Sequence, residues 1–414
     1  MTAQPSIASE PPIDTALVFG EPNAHRIQSD QEAISIAREL AADFVKEAAE
    51  RDRDRRLPFA EIERFSQSGL WAVTIPKAYG GAGVSFATVA DIFKIISAAD
   101  PSLGQLPQNH FAAIDAIRVS ASEEQKRLWF GRVLQGCRLG NAFSEAGSKH
   151  VGAFETRLIK DGDGYRIKGE KFYATGALFA HFVHIGAVDK DGKVNLAIAR
   201  RDAPGLTVID DWSGFGQRTT ASGKVTIDNV RVGTEDVISV HRRGDQPSSN
   251  GSISQIIQAA IDAGIARAAV EETIRFVKTH ARPWIDSGQD HGYEDVFSIA
   301  QIGDLRVRLS AAEALLDRAG RLIDGILDDP SPREVAEVVV AVAEAKILST
   351  EIALLATNKL HELGGTRTVL NRHNLDRHWR NARTHTLHDP VRWKYFHVGN
   401  FTLNDVYPPN HAWS

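Results

Sequence analysis

Histidine titrates closer to neutrality than other side chains, and this chain gathers its histidines at one end. Seven of the 15 fall at 361, 373, 378, 385, 388, 397 and 411. His385 and His388 have a spacing compatible with metal ligation, but no third convincing ligand joins them, so no metal is expected. Proton donation near neutral pH is the chemistry left to such a group. The one cysteine, Cys137, excludes an intramolecular disulfide and any cysteine-based zinc site. Nothing near it activates a thiolate, so it reads as core filler rather than a nucleophile, in a chain suited to a reducing cytoplasm. Two glycine groups, GGAG at 80–83 and GFG at 214–216, lack the strand-turn-helix setting of a dinucleotide fingerprint. Any nicotinamide chemistry then belongs to a different chain.

These residues must be positioned by a chain of 414 residues, enough for two or three folding units with sizeable cores. Its 48 Lys+Arg and 53 Asp+Glu leave a net charge of −5 with no basic concentration, which argues against a nucleic-acid binder. Residues 1–29 are rich in Pro, Ala and Ser, without a basic start or an apolar run, and read as a loose arm rather than a secretory signal. No stretch approaches the roughly 18 apolar residues of a membrane span, so no membrane partner and a cytoplasmic location are expected.

From Asp30 the apolar residues Ile34, Ala37, Leu40, Phe44, Val45 and Ala48 recur at helical spacing, and the charge run at 51–56 reads as a solvated helix end. Further helices are expected at 59–69, 85–99 and 121–135, giving an all-helical domain over 30–139. Between 140 and 241 the period shortens, and DGDG at 161–164 and DKDG at 189–192 punctuate short runs, which reads as an antiparallel β domain. After RRGDQPSSNGS at 242–252, long helices return. One stripe runs from Ile253 to Ala268, a second from Ile299 to Ile326, and a third from Val335 to Leu355 beyond the turn at 328–332. Successive long helices with short turns read as a bundle over 252–400, with a tail at 401–414.

PKAYGGAG at 76–83, AFSEAGS at 142–148, DGDGYRIKGEKFYATGA at 161–177, GFGQRTTASGKVTIDNVRV at 214–232, GIARAAVEE at 264–272 and HELGG at 361–365 occur in an order that resembles the acyl-CoA dehydrogenase family over almost the whole chain. The resemblance implies an α+β multidomain protomer: an N-terminal all-α domain, a middle antiparallel β domain and a C-terminal four-helix bundle. It also implies a flavin between the β domain and the bundle, and a homotetramer. Dehydrogenases of the family need a carboxylate base, usually a glutamate in a segment like 380–392 or on the first bundle helix. Here those positions offer His388 and the run Ile256, Ile257, Gln258, with Asp389 and Asp262 as imperfect candidates.

LDRHWRNARTHTLHDP at 375–390, with HARPW at 280–284, resembles instead the flavin-dependent monooxygenase branch, which includes dibenzothiophene monooxygenase and, most similar, the sulfur-acquisition oxidoreductases. That branch implies reduced FMN from a separate reductase, reaction with O2 to a flavin C4a-hydroperoxide, and oxygenation of a small organosulfur substrate. The resemblance places His388 against the flavin as proton donor or base, and Ser144 where a hydroxyl meets the ring or the peroxide. A turn serine is the other reading of Ser144. Thr175 matches the side chain near flavin N5 and Tyr173 the aromatic before it, with ordinary core as the other reading of Tyr173. Arg282 matches the phosphate-binding arginine, against a plain surface arginine, and the absence of the F-G that follows it in FAD-binding relatives favours FMN over FAD. Trp212, Gly364 and Gly365 match positions lining the flavin, and His110 and Phe111 lie where the first domain nears the pocket. The alternatives are an FAD-dependent acyl-CoA dehydrogenase and a non-catalytic flavin-binding protein.

Overall fold

The computed structural model describes residues 23–243 and 246–413. The first domain contains α1 (Asp30–Phe44), α2 (Ala48–Asp54), α3 (Phe59–Gln67), α4 (Phe86–Ala99), α5 (Pro101–Gln105), α6 (Gln108–Ser120) and α7 (Glu123–Leu134). The starts follow capping chemistry. Ser29 and Ser85 accept backbone N–H groups of α1 and α4, and Ser122 forms a reciprocal capping box with Gln125. Of the arm expected at 1–29, residues 1–22 lie outside the described residues. The remainder is not loose: Ala24 and His25 donate to the carbonyls of Gln135 and Gln67, and Ile27 is buried.

The charge run at 51–56 also departs from expectation. Arg51 is 2% exposed and donates to Asp100 at 3.0 Å and to Glu61 at 3.1 Å. Asp52 accepts from Arg380 at 2.6 Å and from Asn374 at 3.1 Å. The two residues lie on the side of α2 that meets other elements, where burial requires that each charge be paired. The run therefore joins domains.

The β domain holds β1 (Leu139–Ala142), β2 (Arg157–Asp161), β3 (Gly164–Lys171), β4 (Phe182–Val188), β5 (Val194–Arg200), β6 (Leu206–Val208), β7 (Val225–Val232) and β8 (Val237–Ile238). The sheet order is β6-β7-β3-β2-β4-β5-β8, with β1 paired to β4. The DGDG sequence makes the expected β2–β3 hairpin, with Gly162 at φ +59°. Most pairs are antiparallel. However, β1 runs parallel to β4, and β2 touches β4 in parallel at Arg157 and Val188. The chain reaches β4 from β1 through the β2–β3 hairpin, so the parallel pair needs no crossover helix.

The C-terminal domain packs α8 (Asn250–Thr279), α9 (Val296–Asp324) and α10 (Pro332–Gly364), followed by α11 (Asp376–His385) and α12 (Val391–Asn404). The helix α12 runs through residue 401, where a tail was expected to begin. The stripe expected on α8 is only part of its buried surface. Ser252, Gln255, Gln258 and Asp262 are buried as well, because α8 is surrounded by α4, α6, α9, α10 and α11. Close approach to α4 needs Gly264, where an added Cβ would lie 2.6 Å from the Lys94 carbonyl oxygen. No helix among the described residues is long and apolar enough to cross a membrane.

Replacing one partner of a buried ionic cluster leaves the others unpaired. Arg51→Ala is expected to lower unfolding stability by about 3–5 kcal/mol, measured by urea or thermal denaturation.

Candidate active site

The central helix α8 carries a buried polar line on an otherwise apolar body. Gln255, Gln258 and Asp262 are three and four residues apart, so they share one face. Asp262 is fully enclosed and bridges three elements. Its Oδ2 accepts from Lys346 Nζ at 2.7 Å and from Thr350 Oγ1 at 2.8 Å on α10, and its Oδ1 accepts from His385 Nδ1 at 2.5 Å on α11. Burial alone would raise the Asp262 carboxyl, but Lys346 and His385 outweigh it and hold the group down at about 2. Burial lowers His385 despite Asp262, which keeps its imidazole neutral.

One turn beyond, His388 sits at the mouth of the same network with its side chain 33% exposed. Its Nδ1 lies 3.0 Å from Asp389 Oδ2 and its Nε2 lies 3.2 Å from the Gln258 amide nitrogen. A carboxylate only accepts, so Nδ1 donates to Asp389, and with the Gln258 amide nitrogen towards it Nε2 accepts from Gln258. Asp389 is buried. His388, Lys346 and Lys394 overcome its burial and hold it far below the usual carboxylate range, while burial brings the Lys394 ammonium down to about 8.

These assignments bear on the two carboxylates weighed as dehydrogenase bases. A base must hold a proton once it has taken it, and a carboxylate stabilised this strongly as an anion is a weak one. Asp262 and Asp389 are committed to cations and neither serves.

The β-domain side of the site gathers four of the expected residues. The backbone N–H of Phe172 donates to Ser144 O at 3.0 Å, and Asn141 Nδ2 donates to Tyr173 O at 3.1 Å. The Thr175 hydroxyl meets Ser222 Oγ at 2.7 Å, and the rings of Tyr173 and Trp212 lie edge to face at 6.2 Å. Tyr173 is 55% exposed on a left-handed backbone (φ +57°), and Gln217 and Ala221 share that conformation. Non-glycine residues at positive φ are costly and concentrate where function requires them. The helix α11 ties this side to the bundle: Asn381 Oδ1 accepts from the Gln217 N–H at 2.7 Å, and Trp379 stacks on Phe215.

Several buried polar atoms along this seam have no partner: Asn141 Oδ1, both side-chain amide atoms of Gln217, Gln258 Oε1 and His385 Nε2. Unpaired buried polar atoms are expensive, and those of Asn141, Gln217, Gln258 and His385 belong to the elements that carry the expected site residues, which fits a ligand with a polar, hydrogen-bonding edge. The exposed Tyr173 ring, with half-buried Trp212 beside it, fits a planar ring. A flavin ring meets both requirements.

The remaining expected residues lie elsewhere. Arg282 is exposed just beyond the end of α8. Gly364 and Gly365 are its neighbours, since a Cβ on Gly364 would approach Phe276 to 3.0 Å and Arg367 donates to His280 O at 3.1 Å. Gly365 has φ +71° and ψ −169°, a region that essentially only glycine occupies. From Gln258 to Phe276 the helix rises about 27 Å, longer than FMN from ring to phosphate.

The pocket reading of His110 and Phe111 does not hold. His110 is fully buried, accepts from the Leu139 N–H at 3.0 Å and donates to Trp71 O at 2.8 Å, and burial pushes it down to about 3. Phe111 packs on Phe93 in the core. Cys137 is buried. Among the described residues no group of three or more His, Cys, Asp or Glu side chains could hold a metal. A cavity of about 310 Å³, with Asp52, Asp100, Thr219, Glu272, Arg377 and Asn381 among its walls, meets α8 from Ala268 onward. That is about 15 Å along the helix from Gln258.

Sequence reasoning weighed Asp262 only as an imperfect base, met Gln258 only as a residue where a base was absent, and missed Lys346 altogether. The available signal was polar residues at helical spacing on a helix otherwise buried and apolar. Because Asp262 is lowered from 3.8 to about 2, its stabilising contribution is complete above the unfolded value and is lost as pH falls through the native one. Asp262→Asn is therefore expected to cost about 3–5 kcal/mol near neutrality and to flatten the loss of stability between about pH 4 and pH 2, read from denaturation midpoints against pH.

Three family models match in order: the acyl-CoA dehydrogenase N-terminal domain at 28–137, the middle domain at 142–230 and the C-terminal domain at 256–393. Dibenzothiophene monooxygenase of Rhodococcus erythropolis is 33% identical over 400 residues, covering 92% of this chain and 96% of that protein. A probable FMNH2-dependent monooxygenase of Pseudomonas putida, SfnC, is 30% identical over 385 residues, covering 91% and 96%. The crystal structure of FMN-bound TdsC from Paenibacillus sp. A11-2 superposes with a TM-score of 0.88 at 33% identity, covering 92% of this chain and all of that one. With the three domain models matched in order and relatives of 33% identity covering 92% of its length, the chain belongs to the acyl-CoA dehydrogenase family, in its branch of flavin-dependent monooxygenases.

Proposed function

We propose that this chain is the oxygenase component of a two-component system. It accepts reduced FMN from a separate flavin reductase, uses O2, and transfers one oxygen atom to a small organosulfur compound in the cytoplasm. The observation that carries the reading is His388 held between Asp389 and Gln258, with both nearby carboxylates committed to cations. Bound reduced FMN would supply the electrons that activate O2. The relatives named for dibenzothiophene and for FMNH2 support the substrate class and the cofactor.

The protein's own groups divide the remaining work. His388 can take a proton at Nε2 when the Gln258 amide turns its unpartnered oxygen to accept it, with Asp389 opposite at Nδ1, and can return that proton to a developing oxyanion. Gln258 orients that nitrogen. Ser144 is half-buried, and its hydroxyl has no hydrogen-bond partner among the described residues, which would leave it free to donate to a bound flavin. Tyr173, Trp212 and Thr175 border the ring. Arg282, with the backbone around Gly364 and Gly365, suits the phosphate.

The separation of Arg282 from His388 along α8 supports a site completed by a second copy of this chain, in a homotetramer. Exposed apolar side chains surround the Arg282 end at Trp284, Ile285 and Phe297, and another group lines α12 at Trp393, Phe396 and Leu403. Apolar surface of this kind marks an interface.

Anaerobic protein loaded with FMNH2 and mixed with oxygenated buffer in a stopped-flow spectrometer is expected to give a transient absorbance before oxidised FMN appears. Immediate reoxidation without it would refute the reading. His388→Ala is expected to lower product formation at least about a hundredfold while hydrogen peroxide release rises. Arg282→Ala is expected to weaken FMN binding by about ten- to a hundredfold, measured by flavin fluorescence. Mixed oligomers of His388→Ala and Arg282→Ala subunits should regain sites carrying both intact groups; no recovery would place both groups in one subunit's site.

A further inference from the structure

Ser144 lies between two residues that one buried ammonium holds. Lys171 ends β3, pairs with Val225 of β7, and its side chain is 0% exposed. Its Nζ donates to Phe143 O at 3.0 Å and to Glu145 Oε1 at 2.6 Å, and it stands 4.5 Å from the centre of the Phe154 ring. Glu145 in turn accepts the backbone N–H groups of Glu155 at 2.7 Å and Thr156 at 3.1 Å. Just beyond the end of β3, the Phe172 N–H fixes the Ser144 carbonyl. Residues 143, 144 and 145 are thus each anchored to the end of one strand, and both ends of the exposed turn 146–153 converge on Glu145.

We propose that Lys171 and Glu145 are positioning residues for Ser144, a clamp that fixes the serine hydroxyl relative to the flavin site. The inference rests on the role proposed above for Ser144. A lysine in a closed apolar setting is costly unless its hydrogen bonds are directed, and here two of them flank the serine. A strand end is a more rigid support than the loop that carries Ser144. Burial brings the Lys171 ammonium down to about 8 even though Glu145 opposes the shift. For Glu145 burial acts upward, and the bonds from Lys171, Glu155 and Thr156 outweigh it.

The test compares Ser144→Ala, Glu145→Gln, Lys171→Met and the double variant Ser144→Ala/Glu145→Gln. Glu145→Gln keeps an acceptor for the backbone and the carbonyl contact of Lys171, so it serves if Lys171→Met does not fold. The first readout needs no flavin: trypsin cleavage after exposed Lys149 in the turn is expected to quicken about tenfold in folded Glu145→Gln. The second is the fraction of FMNH2 oxidation that ends as hydrogen peroxide rather than product. Glu145→Gln is expected to reduce the coupled fraction by about tenfold when Ser144 is present, and by less than about twofold when Ser144 is already alanine. Unchanged cleavage, or effects on coupling that multiply in the double variant, would overturn the positioning role. If Ser144→Ala alone leaves coupling intact, the role of the serine itself fails, and the clamp loses its proposed purpose. A damaging Ser144→Ala beside a harmless Glu145→Gln refutes the clamp only.

Discussion

The geometry of the site depends on one buried ionic contact, the Asp262 carboxylate set between Lys346 and His385. It links the centre of α8 to α10 and to the last turn of α11. A carboxylate in an enclosed setting must be paired, and the pairing is directional because each oxygen has a different partner. Once His385 is fixed, the chain leaving α11 has little freedom, and His388 arrives opposite Gln258. Asp389, buried beside Lys394 and Lys346, locks the imidazole in one tautomer. The same arrangement that positions the histidine removes both carboxylates as bases. This gives a physical reason for a family member of dehydrogenase architecture to handle protons with an imidazole.

Against this order stand the costs along the β-domain seam. Tyr173, Gln217 and Ala221 adopt left-handed backbone conformations, and polar atoms of Asn141, Gln217 and His385 stay buried without partners. Conformations of that kind cost about 1–3 kcal/mol each, and an orphaned polar group about as much. Other buried polar atoms without partners lie inside the helical domains, Trp71 Nε1, Ser97 Oγ and Ser349 Oγ among them, so this seam is one of several places that carry such a cost. A ligand edge that satisfies the orphaned atoms would offset part of the cost on binding.

Much of the architecture was legible because periodicity reports which face of an element is buried. The stripes of α8, α9 and α10 and the hairpin at DGDG are local signals, and His388 stood out by residue type within its segment. The partners were not legible. Arg51 reads as one of six charged residues in a row, and only the folded chain shows Asp100 and Glu61 around it. Lys346 and Asp262 are 84 residues apart, and no local rule pairs them. The parallel β1–β4 contact was hidden because the intervening hairpin replaces the usual crossover. His110 misled for the opposite reason: a histidine near a domain boundary is a natural site candidate, yet both ring nitrogens serve the backbone.

The length of α8 sets a further constraint. Its first half carries Gln258 and Asp262, which hold His388 and His385, and its far end leads to Arg282 and the Gly364–Gly365 turn. A straight helix cannot fold back to join its ends, so an FMN held by both sets must bridge two copies of the chain. On the proposed assembly this explains why Trp284, Ile285 and Phe297 are exposed in a single chain beside Arg282, the residue proposed to hold the phosphate. Packing them would bury the surface around that end and bring Arg282 to a neighbour's site. Cofactor binding and subunit association would then be linked, since a ligand that bridges two chains stabilises the pair as it stabilises itself.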